Sequence, residues 1–148
     1  MRKAVLTVVV AGLTIMAAPA RLQAVGLTET VKLTDVQELI RQGDYQKAIG
    51  GLISYIQTEP GDAEGYNLLG YSYRKLGQFE KAEKAYTRAL GIDPNHKGAN
   101  EYLGELYLQT DRLPEAEEQL ATLRRLCGGE DCEEYRLLAE AIAEYKAG

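Results

Sequence analysis

Tryptophan is absent from the sequence, phenylalanine and histidine each occur once, and there are only two cysteines and four prolines. The lone histidine, His96, follows Asp93-Pro94-Asn95 and has no partner at helical spacing, so it reads as a solvated turn residue rather than a ligand or general base. No glycine-rich phosphate loop and no paired-histidine helix motif occurs. The carboxylates are numerous but scattered over helix faces as solvated charge. We therefore expect no catalytic residues, no metal and no cofactor. With 45% hydrophobic and 26% charged residues, the scarcity of proline argues for a folded chain rather than a disordered one. Acids outnumber bases by 22 to 17, and the resulting charge of −5 repels phosphate backbones, which makes nucleic acid an unsuitable partner.

An apolar run long enough to cross a bilayer is also missing. The longest, Ala4 to Ala18, follows Met1-Arg2-Lys3 and has the length of the hydrophobic region of a secretory signal. Ala18-Pro19-Ala20 supplies small residues for cleavage after Ala20, and Leu22-Gln23-Ala24 offers an alternative after Ala24. The expectation is a signal peptide over residues 1–20 and a mature chain without a membrane span. With no cysteine near the cleavage region, a lipoprotein is not expected. A periplasmic or secreted location follows.

What the sequence does have is internal repetition. An offset of 34 residues superposes Ala48, Ala82 and Ala116; Tyr45, Phe79 and Leu113; Leu52, Tyr86 and Leu120; Gly43 and Gly77; Pro60 and Pro94. Leu69-Gly70 returns as Leu103-Gly104, and Tyr73 as Tyr107. Repeat boundaries fall at 29–62, 63–96 and 97–130. Apolar residues recur every three or four positions, which predicts first helices near 31–42, 63–76 and 97–110 and second helices near 45–58, 79–92 and 113–127. Gly43 and Gly77 stand where a positive φ would reverse the chain, Asp111 takes that slot in the third unit, and Pro114 suits a first helical turn. Residues 132–146 read as one more helix, with Tyr135, Leu138, Ala139, Ile142 and Tyr145 on one stripe and Glu133, Glu140 and Glu144 turned to water.

The second unit, with Tyr66, Leu69, Gly70, Tyr73, Ala82, Tyr86, Ala89 and Pro94, resembles a near-complete tetratricopeptide repeat. The third departs from the pattern at Asn100 and Gly128, and the first at Lys32, Asp35 and Val36. As a whole the chain resembles a small exported bacterial member of the family. The resemblance implies an all-α fold of antiparallel helix hairpins stacked in a right-handed superhelix over 29–130, closed by a capping helix over 131–148. It also implies a non-catalytic interaction module or scaffold that binds a protein or peptide segment. First helices line the concave side of such arrays. Helical spacing then assigns to a partner-binding groove Gln37 of the first unit, Glu64, Asn67, Tyr71 and Arg74 of the second, and Glu101, Tyr102, Glu105 and Leu108 of the third. Some members bind acidic chaperone tails through basic residues and asparagines on this surface, but Leu33, Gln37, Gly98 and Tyr102 stand at the corresponding positions here.

Cys127-Gly-Gly-Glu-Asp-Cys132 replaces the usual proline linker before the last helix. In an oxidising compartment this pair closes a disulfide that pins the cap, contributing about 2 kcal/mol in the chain-entropy model. The alternative is a redox or metal-binding use of Cys127 and Cys132, although their spacing is not the two-residue gap of redox motifs.

Overall fold

A computed structural model describes residues 31–148, and the expected signal segment lies outside them. Every regular element among the described residues is a helix: α1 (Leu33–Arg41), α2 (Tyr45–Thr58), α3 (Ala63–Lys75), α4 (Phe79–Ile92), α5 (Lys97–Gln109), α6 (Leu113–Leu126) and α7 (Glu133–Ala147). None is long and apolar enough to cross a membrane. The helices lie within a residue or two of the positions that the apolar spacing predicts.

Each hairpin turn uses one backbone device. After α1 the amide of Gly43 donates to the carbonyl of Ile40, and that of Asp44 to Leu39; after α3, Gly77 donates to Arg74 and Gln78 to Tyr73. This crossed pair satisfies carbonyls that the helix end would otherwise orphan, and it requires a positive φ at the turn residue. Gly43 and Gly77 adopt 76° and 70°, and Asp111 adopts 58° in the third hairpin. The same crossed pair ends α6, where Gly128 donates to Arg125 and Gly129 to Arg124. The connection to α7 is therefore built like a turn within a hairpin, unlike the proline linkers after α2 and α4.

The odd-numbered helices touch one another in sequence along one side, while α2, α4 and α6 do not meet. The array thus curves toward the odd helices, which form its inner surface. Small residues allow the close approach. A Cβ on Gly70 would meet the Tyr86 ring at 2.6 Å, and one on Gly104 would meet Leu138 of α7 at 2.5 Å. Tyr86 and Leu138 are both fully buried, so neither has room to withdraw. In the first hairpin the sizes are exchanged: Val36 occupies the position equivalent to Gly70, and a Cβ on Gly51 of α2 would lie 2.9 Å from the Val36 side chain.

The turn before α7 is closed by the Cys127–Cys132 disulfide, with Cα atoms 5.8 Å apart. Leu138 and Ile142 bury the inner stripe of α7 against Leu108, Ala116 and Leu123 of the third hairpin, while Glu133, Glu140 and Glu144 are exposed. Under reductant we expect a loss of about 2 kcal/mol of unfolding free energy, measured by urea denaturation. No change would show that packing alone holds the cap.

Candidate functional site

The inner surface carries a row of tyrosines from three hairpins. Tyr45 opens α2, and its ring meets Tyr71 of α3 edge-on at 6.1 Å; Tyr71 in turn lies 5.1 Å from Tyr102 of α5, which lies 6.3 Å from the buried Tyr86. These separations are typical of favourable aromatic pairs. The guanidinium of Arg74 stands 5.6 Å from the Tyr71 ring and 5.5 Å from that of Tyr102, and its Nη1 pairs with Glu105 Oε2 at 2.5 Å. Lys75 covers Tyr71 at 5.7 Å.

Beneath this row lies charge that the solvent barely reaches. Arg74 is 8% exposed and Glu101 only 3%. Burial, reinforced by the neighbouring Glu105 carboxylate, pushes the Glu101 carboxyl up to about 8 against the opposing pull of Arg74. Burial thus favours the protonated form of Glu101 beside the Glu105 carboxylate. Burial, followed by the Glu101 charge, likewise raises the Tyr102 hydroxyl to about 12. Three buried polar atoms in or beside this cluster have no protein partner: Asn67 Oδ1, Arg74 Nε and the Tyr86 hydroxyl.

Toward the C-terminal end the surface opens into a pocket of about 360 Å³ between α5 and α7, lined by Glu105, Leu108, Gln109, Ala141, Glu144 and Tyr145. Its size is that of a small ligand site or a seat for a large side chain. It holds two carboxylates and no cation. Tyr145 is oriented by its hydroxyl, which donates to Asp111 Oδ1 at 3.1 Å.

The residues expected in the groove separate into layers. Tyr71, Tyr102 and Glu105 are half-exposed at its surface, whereas Asn67, Arg74, Glu101 and Leu108 are buried and form its floor. Gln37 lies apart, in a different cleft with Thr34, Ile40, Arg41 and Leu68. Glu64 sits at the edge, where its Oε2 accepts from Asn67 Nδ2 at 3.0 Å and pairs with His96 Nε2 at 3.0 Å. The reading of His96 as a solvated turn residue is corrected here. It is the N-cap of α5, its Nδ1 accepts the Ala99 amide at 3.1 Å, and its ring is held between that amide and Glu64. The Glu64 carboxylate raises its pKa. The sequence does not reveal Tyr45, because helical spacing puts only first helices on the inner surface, nor Gln109, Ala141, Glu144 and Tyr145, because the stripe of α7 marks it as a capping helix and not as a wall of the groove. The stripe that buries α7 implies a flank facing α5, and that was the available signal.

Cys127, Cys132 and Glu134 form the one group of potential ligands within 4.8 Å of one another among the described residues. The two sulfurs are bonded to each other, which links the end of α6 to the start of α7.

These features define a helical-hairpin repeat protein with a ligand-sized inner surface. Residues 63–96 match the tetratricopeptide repeat family, so the central hairpin is a tetratricopeptide repeat within an array of the same fold. Solved structures share that fold. The TPR2B domain of yeast Sti1 in its complex with pHsp70 superposes with a TM-score of 0.71 at 20% identity, covering 77% of this chain and 92% of that one. The second TPR domain of human RPAP3, in complex with the HSP70 peptide SGPTIEEVD, gives 0.67 at 20% identity over 76% and 90%. MamA from Desulfovibrio magneticus RS-1 gives 0.62 at 26% identity over 67% and 56%. In sequence, the chain is 29% identical over 76 residues to heat shock protein STI1 of Saccharomyces cerevisiae and 36% identical over 76 residues to anaphase-promoting complex subunit 3 of Dictyostelium discoideum. Each match takes in 51% of this chain, but only 13% and 7% of those proteins.

Proposed function

We propose that this protein is a non-catalytic interaction module whose inner surface takes an extended or helical protein segment bearing basic and aromatic residues. The carrying observation is the pocket between α5 and α7, where the unpaired carboxylate of Glu144 stands with Leu108, Tyr145 and the Arg74-paired Glu105, and no lysine or arginine lines the wall. The RPAP3 neighbour is in complex with a peptide ending in Glu-Glu-Val-Asp, whereas the pocket of the present chain is itself lined by carboxylates. Arg74, the one cation of the floor, is already neutralised by Glu105. A lysine or arginine of the ligand would reach the carboxylates, while the tyrosine row offers rigid amphipathic area at low entropic cost. The Ala4–Ala18 run and the Cys127–Cys132 disulfide support export to the periplasm or beyond, where such a module would scaffold envelope or secreted proteins.

Peptides selected on the protein from a random library should be enriched in lysine and arginine. Glu144→Lys, at an exposed position, should weaken their binding at least tenfold, or about 1.4 kcal/mol, at unchanged melting temperature. A selection that yields no peptides rich in lysine or arginine, or affinity of such peptides indifferent to Glu144→Lys, would sink the reading.

A further inference from the structure

On the opposite side of α3 from Tyr71 and Arg74 lies a second cavity of different character. Tyr66, Leu69 and Tyr73 of α3 and Ala85 of α4 form its floor, and Lys81, Lys84 and Arg88 of α4 stand around it, enclosing about 280 Å³ of almost wholly apolar wall. The floor is continuous with the core, since Leu69 and Ala85 pack in one cluster with Ile49 and Leu52 of α2. Lys81 Nζ lies 5.4 Å from the Tyr73 ring and the Arg88 guanidinium 5.6 Å from that of Tyr66, so two of the cations are held over the floor by cation–π attraction. Lys81 also donates to Gln78 Oε1 at 2.8 Å.

Two properties distinguish this cleft from ordinary wet surface. In a chain with more acids than bases, three cations converge on one almost wholly apolar cavity, and none of the three has a carboxylate within ion-pair distance among the described residues. The charge is also particular to this hairpin. At the equivalent positions the third hairpin carries Glu115, Glu118 and Thr122, and the first carries Lys47, Gly50 and Ser54. The repeat pattern therefore does not require three cations here. An apolar cavity below about 300 Å³ is small for a cofactor and suits a single large side chain. Cations around its rim select carboxylates beside that side chain.

We propose that the cleft formed by Tyr66, Leu69, Tyr73, Lys81, Lys84 and Arg88 is a second docking site, on the face opposite the tyrosine row, for an acidic protein segment that seats one apolar side chain between the two tyrosines. The two faces then accept ligands of opposite charge, and the proposal stands independently of what the inner surface binds.

A fluorescein-labelled peptide of alternating glutamate and phenylalanine, titrated by anisotropy against the full chain, tests it. Saturable binding is expected, weakened at least tenfold by Lys84→Glu with Arg88→Glu and unchanged by Tyr71→Ala. A glutamate–serine peptide is expected to bind at least tenfold more weakly, because the pocket stays empty. Both substituted residues are exposed. A Lys84→Gln, Arg88→Gln variant, checked by thermal unfolding, provides the same comparison should the charge reversal disturb the fold. Unchanged affinity in the charge variants, equal affinity for the glutamate–serine peptide, or loss of binding in Tyr71→Ala would each overturn the proposal. So would capture of phosphatidylserine vesicles without peptide binding.

Discussion

Leu138→Ala is expected to remove about 2–5 kcal/mol of stability, the largest loss from any single truncation in the cap. Leu138 is fully buried and belongs to the cluster of Leu108, Ala116, Leu123 and Ile142. Its side chain rests directly on Gly104, closer than a methyl group there would permit. That geometry makes a second, linked prediction. Gly104→Ala alone should destabilise, because overpacking at a pinned leucine, about 1–3 kcal/mol, exceeds the roughly 1 kcal/mol gained in helix propensity. In the Leu138→Ala background the added methyl enters vacated space, and its cost should vanish or reverse. Urea denaturation of the four proteins closes this double-mutant cycle, and strictly additive values would refute the knob-and-glycine contact.

The second large effect is a pH dependence. Glu101 has an ordinary carboxyl near 4.5 when the chain is unfolded, and one near 8 in the folded protein. Between those values the folded state holds a proton that the unfolded state has released. Its contribution to stability is therefore fully present below about 4.5 and is lost as pH rises toward 8, at up to about 1.4 kcal/mol per pH unit. His96 acts in the same direction, since Glu64 raises its pKa too. The comparison must accordingly be made against Glu101→Gln, which keeps the shape of the protonated acid. The variant should lose less stability than the parent between pH 5 and pH 8, and should exceed it at the upper end. Parallel denaturation curves for the two proteins at pH 5, 6.5 and 8 would show that Glu101 does not titrate in this window.

The hairpins were legible because their signals are local. Proline stops, positive-φ turn residues and a three-to-four spacing each act within one turn of helix, and the 34-residue offset repeats them in register. The groove was legible in direction only. Helical spacing places Tyr71, Arg74, Glu101 and Tyr102 on inner faces, yet it carries no information on how closely α3, α5 and α7 approach. That distance decides that Arg74 and Glu101 are covered while Tyr71 and Tyr102 stay half-open. The role of His96 was hidden for a similar reason. Its cap to Ala99 is local, but its partner Glu64 lies one hairpin earlier in the chain. The basic cleft rests on a comparison between repeats, in which Lys81 and Lys84 stand where Glu115 and Glu118 recur.

The exchange of bulk between neighbouring hairpins has one more consequence. Gly70 receives Tyr86 within its own hairpin, Gly104 receives Leu138 from the following helix, and in the first hairpin it is Gly51 that yields to Val36. Each hairpin is thus keyed to its place in the chain, and the three are not interchangeable tiles. Grafting the second hairpin in place of the third would bring that hairpin's own tyrosine ring and Leu138 of α7 to the same glycine. A longer or reordered array built from this protein would need its junctions redesigned along with its repeats.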